Sequence, residues 1–402
     1  MSSVVGLPTA RPYSAAAGVG PAEGERAFLR RLIVYGFILR AAIALLLEFT
    51  GYSRTFAPDE ETYSWSGWQF AQYWSGDVLV RPWRMASKEP LGYFYLNGAF
   101  FYVFGYTELP IKIANAFLGA FSARYVYLAA RDIFGDAVGR RAATLYVFFP
   151  SLVLWSTVNI RDVWVVALIL FICYKSGQVA RGYSHIGVVQ LLLAIYALTF
   201  LRDYLFFVVS LPPVAALIIG RSGNFGRNFV LAVVIGLGLV TLLQYGALSE
   251  KGASRMSLEA MSEARRDMAS GSSAFHGNVD ISTPGKALAF LPIGVAYFLF
   301  SPFPWEITSV LKTFSLPEMI FIYGLTPAIF RGIRFAIRER FRDSIQILLL
   351  TAFLTVSYAL GEGNVGTLYR HRAQVISMYL MFAAVGIELR KARGLQTHRA
   401  VA

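Results

Sequence analysis

Residues 32–49 read LIVYGFILRAAIALLLEF, an apolar run broken only by Arg40 and Glu48. It approaches the ~20 residues that a helix needs to cross ~30 Å of hydrocarbon. Stretches of the same kind recur at Phe229–Gly246 and Ile345–Leu360. Over all 402 residues the composition is 56% hydrophobic and 15% charged, against roughly 45–50% and about 25% for an ordinary soluble domain. A soluble globule is therefore excluded, and an all-α, polytopic transmembrane helical bundle is expected.

The net charge of +13 could point to nucleic acid. Its distribution argues otherwise, because the cations cluster in short loops between apolar spans. The clusters are Arg30 and Arg31, Arg131 with Arg140 and Arg141, Arg221 and Arg227, Arg331 through Arg342, and Arg390 through Arg399. This is the positive-inside signature of a lipid-bilayer protein and not a nucleic-acid surface. The single cysteine, Cys173, lies in an apolar span, so no intramolecular disulfide can form. Residues 1–30 read as a disordered cytoplasmic tail rich in Ala, Gly, Ser and Pro near its start, without the apolar core of a signal peptide. Residues 31–389 read as the transmembrane domain, with a core module over 31–220 and variable helices over 221–389. Residues 390–402 read as a basic cytoplasmic tail.

If every basic cluster is cytoplasmic, an even number of crossings separates successive clusters. Three apolar segments lie between Arg31 and Arg131 and three between Arg227 and Arg331, so one of each three must fail to cross. The middle segments, 91–105 and 287–301, are the shortest, and proline or glycine interrupts or brackets them. They are expected to be re-entrant or interfacial, as covered backbone at membrane depth permits. The count is then about ten crossings, or twelve if both segments span. Ten places Gly51–Pro110, Ser156–Asp162, Arg202–Asp203, Leu248–Pro317 and Gly361–Arg372 on the outer face.

Polar residues concentrate on that face. The first outer loop carries Asp59-Glu60-Glu61 and then an uncharged, aromatic stretch with Trp65 and Trp68, suited to an interfacial helix. One of these carboxylates could be a general base held rigidly by the helix it opens, or Asp59 could simply cap that helix. Lys88-Glu89-Pro90 follows, read either as a solvated pair or as a contact to an anionic head group. Asp162 is either a helix cap or a second carboxylate near Asp59, and its neighbour Arg161 is no helical partner for it. Arg202–Asp203 carries the same ambiguity. The last outer loop contains Tyr369-Arg370-His371-Arg372. Two arginines on the face where cations are disfavoured argue for a specific anion, for which the guanidinium fork is suited. The alternative is an ion pair with Glu362 or an acidic outer loop. No HxxxH or HExxH spacing suggests a metal. The long loop over 249–286 is read as a lid.

The combination of Asp59-Glu60 after the first crossing, Lys88-Glu89-Pro90-Leu91, Phe104-Gly105, Arg131-Asp132-Ile133-Phe134-Gly135 and Phe149-Pro150 through Asp162 resembles the GT-C type membrane glycosyltransferases. The likeness covers roughly residues 30–175 and is nearest to the group of protein O-mannosyltransferases and lipid A aminoarabinose transferases. It implies a polyprenyl-phosphate-linked sugar donor and a glycan, lipid or protein acceptor. It also implies an active site on the extracytoplasmic side of the plasma (inner) membrane. Carried onto this chain, Asp59 is the expected catalytic base, with Glu60 orienting or assisting it. Lys88, Arg370 and Arg372 are expected at the donor phosphate, with Tyr369 and His371 beside them. Glu89, Asp162, Arg161, Trp65 and Trp68 are expected around the acceptor or sugar. No cofactor is required, and a divalent metal is possible without being indicated. A lipid-linked glycan polymerase and a flippase for a lipid-linked sugar are the alternatives.

Overall fold

The computed structural model describes residues 23–77, 79–82, 91–182, 184–220, 225–245, 257–268, 275, 279–307 and 310–401. Among these the secondary structure is helical, without a strand. In chain order the helices are α1 (Glu23–Thr50), α2 (Ser53–Phe56), α3 (Asp59–Trp74), α4 (Gly92–Phe104), α5 (Leu109–Phe121), α6 (Ala123–Phe134), α7 (Asp136–Val147) and α8 (Pro150–Leu154). There follow α9 (Asp162–Arg181), α10 (His185–Thr199), α11 (Leu205–Ile219), α12 (Phe225–Tyr245), α13 (Leu258–Met268), α14 (Pro284–Phe300), α15 (Val310–Glu339), α16 (Phe341–Gly361) and α17 (Val365–Val401).

Five of them, α1, α9, α15, α16 and α17, contain windows long and apolar enough to cross a membrane, and α10, α11, α12 and α14 are shorter apolar helices. Helix α4, with 13 residues, reaches about 20 Å at 1.5 Å per residue, short of the hydrocarbon thickness. Ser122 between α5 and α6 keeps right-handed helical dihedrals, so those two helices run on from one another. The apolar window of α17 is 89% buried inside the protein, against 28% for α1. Helix α17 is thus the central post, while α1 turns Tyr35, Ile38, Leu46 and Phe49 outward, the face a helix offers to lipid.

Two expected boundaries shift. Helix α1 begins at Glu23, so residues 23–30 are helical and not part of a disordered tail. Helix α17 continues through residues 390–401, so the basic C-terminal stretch extends a helix.

The bundle departs from regularity between α7 and α8. Pro150 removes an N–H and cannot continue α7, and Phe149 is extended. Buried charges close the opened backbone. The Arg40 guanidinium donates to the carbonyl of Val147 at 2.8 Å and to Ser156 Oγ at 2.9 Å. Glu318 Oε2 accepts from the backbone N–H of Ser151 at 2.8 Å, so its carboxylate sits at the N-terminus of α8. Gly36 and Gly119 leave room for the Arg40 side chain, since a Cβ at either would lie within 3.4 Å of it.

Glu318 also pairs with Arg372, at 3.5 Å. Removing one partner of a buried ion pair costs about 3–5 kcal/mol, because the other charge is stranded. Arg372→Met is therefore expected to lower the unfolding temperature in detergent markedly. Glu318→Gln combined with Arg372→Met should cost less than the sum of the two single changes. Additive losses in a thermal-unfolding cycle would show that the two residues do not act as a pair.

Candidate active site

Four elements bring charges together at one end of the bundle. Asp59 opens α3, Asp162 opens α9, Arg202 sits in the turn between α10 and α11, and Arg370 and Gln374 project from α17. Asp162 is fully buried and is the hub. Its Oδ2 accepts from Arg370 Nε at 2.6 Å, and its Oδ1 accepts from Arg202 Nη2 at 3.0 Å and Gln374 Nε2 at 2.7 Å. Nη1 of Arg370 reaches outward to Asp59, whose side chain is 54% exposed. Arg202 donates to Tyr204 Oη at 2.6 Å, and Arg161 lies over the ring of Tyr63 with 5.8 Å to the centroid. The result is a graded chain from a buried carboxylate, through a nearly buried guanidinium, to a carboxylate open to the surface.

Neither carboxylate is a helix cap. The N-cap residues are Pro58 and Arg161, without side-chain cap bonds, so the capping alternative does not hold for Asp59 or Asp162. The ion-pair alternative for Arg370 holds in part: its partners are Asp59 and Asp162 rather than Glu362, which pairs with His371.

Of the two expected parts for Glu60, orienting Asp59 or assisting it directly, its placement is at odds with the second. One residue along a helix is a turn of about 100°, and this carries Glu60 into the core, where it is 0% exposed. Its Oε1 accepts from the backbone N–H of Asn159 and its Oε2 lies 3.4 Å from Lys112 Nζ. Burial raises the carboxyl above its ordinary range, and Lys112 and the Asn159 N–H oppose that. Lys112 also meets Glu48 at 2.7 Å and Glu108 at 2.9 Å. This cluster joins the end of α1, the start of α3 and the start of α5. Glu60 anchors the helix that presents Asp59.

The non-helical segment Trp155–Arg161 runs behind the site and is satisfied by side chains. Asn159 Nδ2 donates to Asn97 Oδ1 at 2.8 Å and Ser64 Oγ at 3.0 Å, and its Oδ1 accepts from Tyr93 Oη at 2.8 Å. Asn115 donates to the carbonyl of Val158 and accepts from Trp164 Nε1. Close approach of α3 and α4 requires Gly67, where a Cβ would meet Asn97 Cβ at 2.3 Å.

Arg370 and Arg372 are two residues apart on a helix, about 200° around its axis. They therefore cannot share one phosphate. Arg372 is buried against Glu318 and donates to the carbonyl of Ser301 at 2.6 Å, so its expected place at the donor phosphate is corrected to a packing clamp. Tyr369 donates to Glu318 at 3.2 Å, and His371 pairs with Glu362 while stacking on Tyr358 at 4.9 Å. Among the described residues neither side chain hydrogen-bonds the Asp59–Arg370–Asp162 chain, and His371 lies close enough to Asp162 and Arg202 to interact with them electrostatically. Trp68 packs on Phe101 and Tyr106, while Trp65 stays half exposed. Lys88 and Glu89 lie outside the described residues. Among the described residues no group of three or more His, Cys, Asp and Glu is arranged to hold a metal ion. The described helix of the long loop over 249–286, α13, is fixed by Arg265, which donates to the carbonyl of Glu362 at 2.9 Å.

Gln374, Lys112 and Asn159 were not anticipated from sequence. The available signal for Lys112 was an ionisable residue within an apolar helix, which is rare unless paired or functional. For Gln374 it was the four-residue spacing from Arg370, which puts both on one face.

The sequence model of the family described as dolichyl-phosphate-mannose-protein mannosyltransferase matches residues 88–244. This match bears out the resemblance to GT-C type membrane glycosyltransferases and includes Asp162 and Arg202. The crystal structure of ArnT from Cupriavidus metallidurans bound to undecaprenyl phosphate aligns over 87% of this chain at 15% identity, with a TM-score of 0.49. The chain spans 59% of the length of that protein. No curated protein sequence matches.

Removing the Glu60 carboxylate strands the Asn159 N–H and leaves Lys112 with one partner fewer. Glu60→Ala is therefore expected to cost about 3 kcal/mol of stability, read as a lowered unfolding temperature in detergent. An unchanged unfolding temperature would remove Glu60 from its anchoring role.

Proposed function

We propose that this protein is a membrane glycosyltransferase that moves a sugar from a polyprenyl-phosphate-linked donor to an acceptor hydroxyl on the extracytoplasmic face, in assembly of a cell-surface glycan or glycolipid. The observation that carries the reading is the Asp59–Arg370–Asp162 chain, in which an exposed carboxylate and a guanidinium meet at the surface of a membrane bundle. The family match supports the donor class, since its description names a sugar carried on a polyprenyl phosphate.

The chemistry follows from those groups. Asp59 accepts the proton of the acceptor hydroxyl as its oxygen attacks the anomeric carbon. The bond from that carbon to the phosphate oxygen breaks, and the lipid phosphate leaves with the electron pair. A phosphate leaves as a stable anion, so the reaction needs no acid; it needs a cation beside the growing charge. Arg370 supplies it, oriented by Asp162, which Arg202 and Gln374 hold in turn. Lys88 is a second cation for the phosphate in this proposal, and Arg161, Trp65 and Glu89 are acceptor or sugar contacts. A polymerase acting on lipid-linked glycans would use the same steps. A flippase calls for charges lining a path through the crossings. Among the described residues Arg40, Lys112 and Glu318, three ionisable residues within the helices, are instead committed to packing.

General-base assistance contributes ~10²–10⁴-fold. Asp59→Asn in the purified protein should lose transfer by that order while unfolding at a near-normal temperature, because the side chain is half exposed. Near-normal turnover would refute the base assignment. Loss of a preorganised charge stabiliser costs about 10²–10³-fold, so Arg370→Ala should weaken donor binding and slow transfer together. Unchanged donor affinity and rate would return Arg370 to a purely structural pairing.

A further inference from the structure

A cavity of about 460 Å³ lies between α7 and α17, far from the Asp59–Arg370 chain. Lys391, in its lining, follows Arg370 by 21 residues on the same helix. At ~1.5 Å per residue that is about 31 Å, one hydrocarbon thickness. The cavity therefore opens at the membrane boundary opposite the candidate active site.

Its lining carries Arg140, Arg141 and Lys391 against one carboxylate, Glu388. The pairing is incomplete. Arg141 Nε bonds Glu388 Oε1 at 2.5 Å, and Lys391 Nζ stands 3.9 Å from that same oxygen, beyond hydrogen-bond reach. Arg140 uses Nε on Asp136 at 2.7 Å, and its guanidinium lies over the ring of Phe28. The side chains of Arg140, Arg141 and Lys391 are 36%, 31% and 56% exposed. The lining therefore presents more guanidinium and ammonium donors than its carboxylate can accept from. The apolar side of the cavity is equally specific in position. Leu145 follows Arg141 by one helical turn and also lines it, and Phe148, the residue that ends α7 three positions further on, is 48% exposed. A stripe thus runs from the cations into the hydrocarbon.

We propose that this cavity binds the phosphodiester head group of an anionic phospholipid, with Arg140, Arg141 and Lys391 around the phosphate and an acyl chain along Leu145 and Phe148. Basic pockets between transmembrane helices favour such head groups, and arginine forks match phosphate oxygens. The apolar stripe favours a lipid over free phosphate, which has no chain to lay on it.

The full-length protein, purified in a zwitterionic detergent, is titrated with phosphatidylglycerol, phosphatidylcholine or inorganic phosphate, and bound ligand is read by native mass spectrometry. Phosphatidylglycerol should bind in preference to phosphatidylcholine, and millimolar inorganic phosphate should not displace it. Arg140→Ala with Lys391→Ala should weaken phosphatidylglycerol binding about tenfold or more. Both side chains are well exposed, and the unfolding temperature without lipid serves as the control for folding. Glu388→Gln, which removes the competing carboxylate, should strengthen binding. Equal retention of the two lipids, unchanged affinity in the double variant, or inorganic phosphate competing at equal concentration would overturn the proposal.

Discussion

Between Val147 and Asp162 the helical run is broken on both sides of the five-residue α8, among transmembrane helices, where water is not available to take up the hydrogen bonds given up. The other features of the site depend on how that break is closed. Arg40 from α1 takes the carbonyl of Val147, Glu318 from α15 takes the N–H of Ser151, and Glu60 from α3 takes the N–H of Asn159. Three charged groups from three distant helices thus serve backbone groups. Each is tied further: Arg40 to Ser156, Glu318 to Arg372, and Glu60 to Lys112. The break lets Asp162 begin α9 facing the opening of the bundle instead of lying within a continuous helix.

The charges divide into a supporting set and a presenting set. The supporting set is fully buried, and its members make contacts to helices or to backbone. The presenting set passes charge outward, from Asp162 through Arg370 to Asp59. In a low-dielectric surrounding such pairs are strong when complete and costly when broken. Asp162 has three partners, which holds Arg370 in one orientation for a phosphate that the proposed reaction brings to it. Preorganisation of this kind spares the site reorganisation when charge develops.

Part of this was readable from residues 32–49 and their counterparts: helical class, membrane location and the helix with aromatic faces after Asp59. The pairing of Asp59 with Asp162 as two carboxylates of one site was also readable as one of two alternatives. The assignment of Arg370 with Arg372 to a single phosphate was not sound, and the reason is local. Residues two apart on a helix point in nearly opposite directions, and α17 is packed on all sides, so Arg372 necessarily meets other helices. Glu60, one residue from Asp59, likewise turns into the core, where it bears on Asp59 by anchoring α3 and not by direct contact at the surface.

What the sequence by itself determined is the length and polarity of each span, because hydrocarbon thickness and desolvation act on each segment without reference to its neighbours. The partners of each buried charge were decided only by tertiary structure. Arg40 stands 107 positions from Val147, Lys112 64 from Glu48, Glu318 167 from Ser151 and Arg372 54 from Glu318, yet in space each of these pairs is within hydrogen-bond or ion-pair distance. Such pairings depend on which helix faces meet, and helix faces meet through packing that no single segment specifies.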